Sequence, residues 1–231
     1  MMKKIFEKIE RLICEYNDLD FDKHVIDYNK YKLYSIVTSS TQLEGSTLDE
    51  LDTKLLLEDG ITAKGKPLEH HLMVKDNYNA IRFVLEQVNK KILLTPEFLR
   101  QCNGLNMANT GLVDQFCREI NKQITNNSTI IEHLTTSFDA HANLVLIHPW
   151  MDGNKRTSRL IMNFIQQRAE LPLSKVHKED SREYLLALKN VKDNNTLDTF
   201  RKFMFEQFAK TLSCEISDYK KARKKKFSLI F

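Results

Sequence analysis

The sequence predicts a mainly α-helical fold with at most a small β-hairpin. Only 6 Gly and 4 Pro occur in 231 residues, which favours long helices over a turn-rich β architecture. Apolar residues recur at helical spacing through most of the chain. Ile5, Ile9, Leu12 and Ile13 mark a first helix. Val25, Tyr28, Leu33, Ile36 and Val37 mark a second, which should run to about Leu43 and stop at Gly45. Thr47-Leu48-Asp49-Glu50 has the pattern of a capping box and opens a short helix that Gly60 ends. Leu68 to Val88 reads as a long amphipathic helix, and Thr95-Pro96 as a helix start with proline at the first helical position.

From about Leu112 to Asn127 the helical period weakens. Ile120, Ile124 and the polar residues between them suggest a short hairpin, with Asn126-Asn127 as a turn. The reading is an exposed flap before the next helix, Thr129 to Leu146. Asp180-Ser181-Arg182-Glu183 and Thr196 start two further helices.

Composition bounds the class. Hydrophobic residues make up 42% and charged residues 29%, as in a soluble globular protein. No apolar run approaches the roughly 18–20 residues that span a membrane, so no membrane partner is expected. The first residues, Met1-Met2-Lys3-Lys4-Ile5-Phe6-Glu7-Lys8, lack the apolar core of a signal peptide. Cys14, Cys102, Cys117 and Cys214 form no CxxC pair, and a reduced, cytoplasmic setting is expected. The net charge of +4 is unevenly placed, with Lys220, Lys221, Arg223, Lys224, Lys225 and Lys226 near the C-terminus. A solvated end is the expected role of that cluster, and nucleic acid is not an expected partner.

The chemistry concentrates in His148-Pro149-Trp150-Met151-Asp152-Gly153-Asn154-Lys155-Arg156-Thr157-Ser158-Arg159. Pro149 disfavours helix at His148, so the preceding helix should end near Ile147. Gly153 permits a tight turn, and Asn154 begins a helix whose buried face is Leu160, Ile161, Phe164 and Ile165. That helix turns its free N–H groups and positive dipole end toward the loop, which makes an anion site. Arg156 and Arg159, at i and i+3, can each hold phosphate oxygens. Asp152 is placed to bind Mg²⁺ that bridges those oxygens. Histidine is the one residue type in the window that titrates near neutrality, which makes His148 the natural general base. Together these groups suit a nucleoside triphosphate.

The window resembles the Fic motif, His-Pro-Phe-x-Asp/Glu-Gly-Asn-Gly-Arg-x-x-Arg. His148, Pro149, Asp152, Gly153, Asn154, Arg156 and Arg159 match it, and a weaker resemblance covers about Leu68 to Phe208. The resemblance implies an all-α Fic core with a β-hairpin flap. It also implies a protein adenylyltransferase that uses ATP and Mg²⁺. His148 would deprotonate a Ser, Thr or Tyr hydroxyl of a target protein, whose oxygen would take AMP from ATP. Gly153, Asn154 and Lys155 would cradle phosphates, Arg156 and Arg159 would hold the triphosphate, and Asp152 would hold the metal. A flap near residues 117–125 would align the target by strand pairing. Tyr184 would pack near the nucleoside or in the core, and the chain could form a homodimer.

Two positions depart from the motif: Trp150 replaces Phe, and Lys155 replaces Gly. The Doc-like branch of the superfamily also has Asn-Lys-Arg and transfers a phosphoryl group. Transfer of phosphate or UMP, or removal of AMP, therefore stands as the alternative. Gly153 and Arg159 favour AMP.

Upstream, Ser39-Ser40-Thr41-Gln42-Leu43-Glu44-Gly45 resembles the inhibitory motif of Fic proteins, Ser/Thr-x-x-x-Glu-Gly/Asn, through Ser40 and Glu44. Their i, i+4 spacing would let them hydrogen-bond on one helical face. The resemblance implies that Glu44 pairs with Arg159 and blocks the γ-phosphate position. The expected organisation is an N-terminal helical region with the inhibitory motif (1–65), a catalytic core (66–210) and a basic C-terminal tail (211–231). Two more distant readings are a non-catalytic binding module and a metal hydrolase built on His133, His141 and His148.

Overall fold

A helical hairpin lies at the centre of the molecule. Its arms are α7 (Ile130–Ile147) and α8 (Asn154–Arg168), joined by residues 148–153. The structure is a computed structural model and describes residues 2–19 and 27–228. Thr129 starts α7 with a true capping box: its hydroxyl accepts the Glu132 N–H, and the Glu132 carboxylate accepts the Thr129 N–H. Bonds from the Ser128 and Thr129 backbone hold the Glu132 carboxyl down to about 2.

Both arms are buried on more than one face, so the hairpin separates two apolar clusters. Leu134, Phe138, Ala142 and Met162 face one cluster. Ala140, Leu144, Leu160, Ile161, Phe164 and Ile165 face the other. The first cluster is closed by α1 (Met2–Asn17), α9 (Ser181–Asn194) and α10 (Asp198–Ser228). In α1 the buried residues Ile9, Leu12, Ile13 and Tyr16 form a single helical stripe. The second cluster is closed by α2 (Tyr28–Gln42), α4 (Leu68–Asn89), α5 (Pro96–Asn103) and α6 (Thr110–Asn126), with α3 (Glu50–Asp59) beside α2 and α4.

The elements follow the expected order, with local differences. Val25 of the second expected helix lies outside the described residues. Asp49, not Thr47, caps α3, in a reciprocal box with Asp52. Thr47 is occupied elsewhere: its N–H and hydroxyl both lie on His70 Nδ1, at 3.2 and 3.0 Å. Gly60 closes α3 in the left-handed conformation. Thr95 caps α5 with Pro96 in its first turn. A 3₁₀ turn, Lys178–Asp180, leads into α9, and the Thr196 hydroxyl accepts the N–H of Asp198 at the start of α10. Helix α10 runs without a break through residue 210, and Lys220 pairs with Glu15 on α1.

The expected flap is the main correction. Residues 112–126 are helical, and no strand occurs among the described residues. Val113, Phe116, Cys117 and Ile120 are buried along one side of α6, with Ile124 packed against the same cluster. Their steps of three and four place them on one helical stripe. No helix of the described residues is long and apolar enough to cross a membrane.

The fold also buries histidines in the neutral state. His177 accepts or donates to Thr211 Oγ1 at 3.1 Å, and its backbone N–H donates to Gln207. Burial, then Lys175 and Lys210, push it from 6.5 down to about 4. Burial and Arg159 push His141 well below its usual value. In the window between about pH 6.5 and 4 the unfolded chain holds these protons and the folded chain does not, so protons favour unfolding. The thermal midpoint should therefore fall as pH drops from about 6.5 toward 4. The slope of midpoint against pH, followed by far-UV circular dichroism, should be shallower in His177→Gln.

Candidate active site

The loop between α7 and α8 is shaped by proline, glycine and asparagine. Helix α7 ends at His148, whose backbone is left-handed at φ 50° and ψ 57°, with its N–H still bonded to Leu144 O at 3.2 Å. A non-glycine residue holds that conformation at a cost of roughly 1–2 kcal/mol, and only where its surroundings impose it. Asn154 supplies much of that constraint. Its Oδ1 accepts the Trp150 N–H at 3.0 Å, and its Nδ2 donates to Trp150 O at 2.7 Å. The same Nδ2 lies 3.2 Å from His148 Nε2. The His148 ring is exposed while Asn154 is buried, so a buried clamp carries an exposed imidazole.

Trp150 anchors the loop from beneath and is 2% exposed. The indole N–H partner that its replacement of Phe would call for is not found among the described residues. Gly153 has φ 78°, and a Cβ there would lie 2.8 Å from Asn103 Nδ2. Asn103 donates to Asp152 O at 3.1 Å and to Thr157 Oγ1 at 2.9 Å. It therefore ties the loop to α5, a role that its sequence context gave no sign of. Gly153→Ala meets both a strained φ and this contact. It should lower any transfer at this loop tenfold or more, with the helical circular dichroism spectrum unchanged.

Beyond Gly153, no side chain caps the first turn of α8. Its N–H groups and positive dipole end are the kind of feature that favours an anion. Arg156 Nη2 lies 2.9 Å from the exposed Asp152 carboxylate. Asp152 is a single accessible carboxylate, which suits Mg²⁺ carried in by phosphates, since Mg²⁺ keeps waters and takes few protein ligands.

Arg159 is 4% exposed, and each of its guanidinium nitrogens has a partner. Nε donates to Ser40 Oγ at 3.0 Å, Nη2 to Ser40 O at 2.9 Å and to Glu44 Oε1 at 3.0 Å, and Nη1 to Tyr184 Oη at 3.4 Å. Ser40 thus accepts from Arg159, and α2 stops at Gln42, leaving Glu44 on the turn that follows. The other Glu44 oxygen, Oε2, lies 2.9 Å from Lys155 Nζ. Burial alone would raise the Glu44 carboxyl, but Arg159 and Lys155 more than offset it and hold it below the usual carboxylate range. Lys155 therefore faces a carboxylate, a contact that its position in the motif did not reveal.

Tyr184 is 1% exposed and sits in the core beneath Arg159. Its hydroxyl lies 2.8 Å from His141 Nε2. Burial raises the phenol, partly offset by Arg159, and burial lowers the imidazole beside it. His141 is thus a buried core histidine, and His148 is an exposed loop residue. Among the described residues no three His, Cys, Asp or Glu side chains converge in a metal-binding group.

Beside His148, the backbone N–H of Ala108 donates to Pro149 O at 2.7 Å, and Asn109 Nδ2 donates to Ile147 O at 3.3 Å. Ala108 and Asn109, between α5 and α6, therefore border the loop. Met151 projects next to it, 99% exposed.

Residues 70–166 match the Fic/DOC family. Protein adenylyltransferase fic-1 of Caenorhabditis elegans is 25% identical over 212 residues, covering 80% of this chain and 42% of that protein. Protein adenylyltransferase Fic of Drosophila melanogaster is 26% identical over 210 residues, covering 79% and 42%. The chain thus spans less than half the length of these curated relatives. Among solved structures, Fic-1 (residues 134–508) from C. elegans superposes with a TM-score of 0.81 at 23% identity, covering 93% of this chain and 71% of that one. A Fic domain containing signaling protein from Bacteroides thetaiotaomicron superposes with a TM-score of 0.77 at 22% identity, covering 92% and 97%.

Proposed function

From the Fic/DOC family domain that this chain carries over residues 70–166, we propose an autoinhibited protein adenylyltransferase. The observation that carries the reading is the loop itself. An exposed imidazole is clamped by Asn154 beside an uncapped helix N-terminus with two arginines in its first turns. The names of the relatives support the transferred group.

In this reading ATP lies along the N-terminus of α8. A Ser, Thr or Tyr hydroxyl of a target protein approaches from the exposed side of His148, past Met151. The His148 imidazole takes the hydroxyl proton, the oxygen bonds to the α-phosphorus, and the α–β phosphoanhydride breaks with pyrophosphate leaving. The N–H groups of the first turn of α8, with Lys155 and Arg156, hold phosphate oxygens. Asn154 contributes by fixing the loop. Asp152 would hold Mg²⁺, which neutralises charge on the phosphates. Arg159 takes the terminal phosphate once Glu44 leaves it. Tyr184, with His141 behind it, positions Arg159 from the core side instead of touching the nucleoside.

Glu44 is the brake. While it occupies Arg159 the triphosphate cannot be seated for in-line attack. Lys155, at a motif position that is otherwise Gly, favours phosphoryl transfer as the second reading. Intact-mass measurement of a target protein treated with the Glu44→Gly form and ATP separates the two. The expected addition is one AMP, and addition of a bare phosphate would replace this reading with the second.

A further inference from the structure

We propose that Lys155 has two partners in turn: it is the second cation of the Glu44 lock in the closed form, and it turns to the triphosphate when Glu44 leaves. The proposal rests on the reading of Glu44 as a brake. Glu44 gives one oxygen to each cation, Oε1 to Arg159 at 3.0 Å and Oε2 to Lys155 at 2.9 Å. The two cations are held very differently. The Arg159 side chain is 5% exposed and is also fixed by Ser40 and Tyr184. The Lys155 side chain is 35% exposed, and its ion pair among the described residues is with Glu44. Arg159 therefore stays in place when Glu44 departs. Lys155, on a flexible four-carbon stem, does not.

Its place on α8 gives it somewhere to go. Lys155 is the second residue of the helix, beside the uncapped N–H groups where phosphates would sit. A lysine ammonium binds phosphate as a point charge and needs no fixed fork geometry. The same side chain thus strengthens the closed state and the nucleotide complex. Glycine at this position could do neither.

The test is a reversal of sign. In the otherwise native chain, at ATP concentrations that saturate both forms, Lys155→Ala weakens the lock and should raise transfer roughly three- to tenfold, by analogy with an exposed or half-exposed charge-assisted pair. In the Glu44→Gly background the same substitution removes a phosphate contact. It should there raise KM for ATP, and Kd for a non-hydrolysable ATP analogue by calorimetry, by a similar factor with little change in kcat. Lys155→Arg should retain most of the native behaviour in both backgrounds, and the thermal midpoint should move little. A loss of transfer in both backgrounds, or no change in the native one, would overturn the proposal while leaving the brake intact, provided Glu44→Gly still activates. If Glu44→Gly does not activate, the brake reading falls and this proposal with it.

Discussion

Glu44→Gly is expected to raise transfer from ATP roughly ten- to a hundredfold. The carboxylate bonds to a buried guanidinium and to a lysine, and is held ionised by them. Hydrogen bonds to charged groups contribute roughly 1.5–3 kcal/mol each, and about 1.4 kcal/mol corresponds to a tenfold shift in an equilibrium. Removing the carboxylate leaves Arg159 positioned by Ser40 and Tyr184, so the phosphate-binding geometry survives. The gain should appear in steady-state transfer of an α-phosphate label. Glu44→Gln should give an intermediate increase, because an amide can still accept from Arg159 but carries no charge. The depressed Glu44 carboxyl also sets the pH behaviour. A carboxyl whose folded value is lowered keeps its contact at neutral pH and loses it only as pH falls through that lowered value. Neutral buffers should therefore not release the brake.

His148→Ala in the Glu44→Gly background should abolish all of that gain, lowering transfer by roughly 10²–10⁴-fold, the usual range for a positioned general base. His148 is exposed and its ring is reached by Asn154 Nδ2 at 3.2 Å. Removing the ring leaves the Asn154 bonds to Trp150 intact. The loop should hold its shape and the analogue should still bind, so the loss falls on kcat and not on nucleotide affinity. Equal losses in both would mean that the imidazole supports the loop and does no proton transfer.

Helix existence was readable from spacing because most helices bury a stripe of residues such as Ile9, Leu12, Ile13 and Tyr16. Thr95 before Pro96 marked the start of α5, and Thr129 the start of α7, to within a residue. The misread helix, α6, has Cys117 in its stripe and β-branched Val113, Ile120 and Ile124 around it. Those residues fit strands as well as helices, and the polar residues between them hid the stripe. Thr47 was misassigned as a cap because nothing nearby in sequence announces His70 as its partner.

At the site, the roles set by local backbone were legible. Pro149 forced the end of α7, and Gly153 the turn before α8. Apart from the pairing of Glu44 with Arg159, which the resemblance implied, the roles set by long-range packing were not. Asn103 meets the loop from α5, Tyr184 reaches Arg159 from α9, and Lys155 meets Glu44 across the fold. Each is a contact between residues far apart in sequence, where periodicity and spacing carry no information.

The most direct measurement compares three forms of the chain with α-labelled ATP and Mg²⁺: the native form, Glu44→Gly, and Glu44→Gly with His148→Ala. Faint labelling of protein is expected in the first, strong labelling in the second and none above background in the third. Equal labelling by all three, or no protein labelling by Glu44→Gly from α-labelled ATP when a γ-label does reach protein, would contradict that expectation.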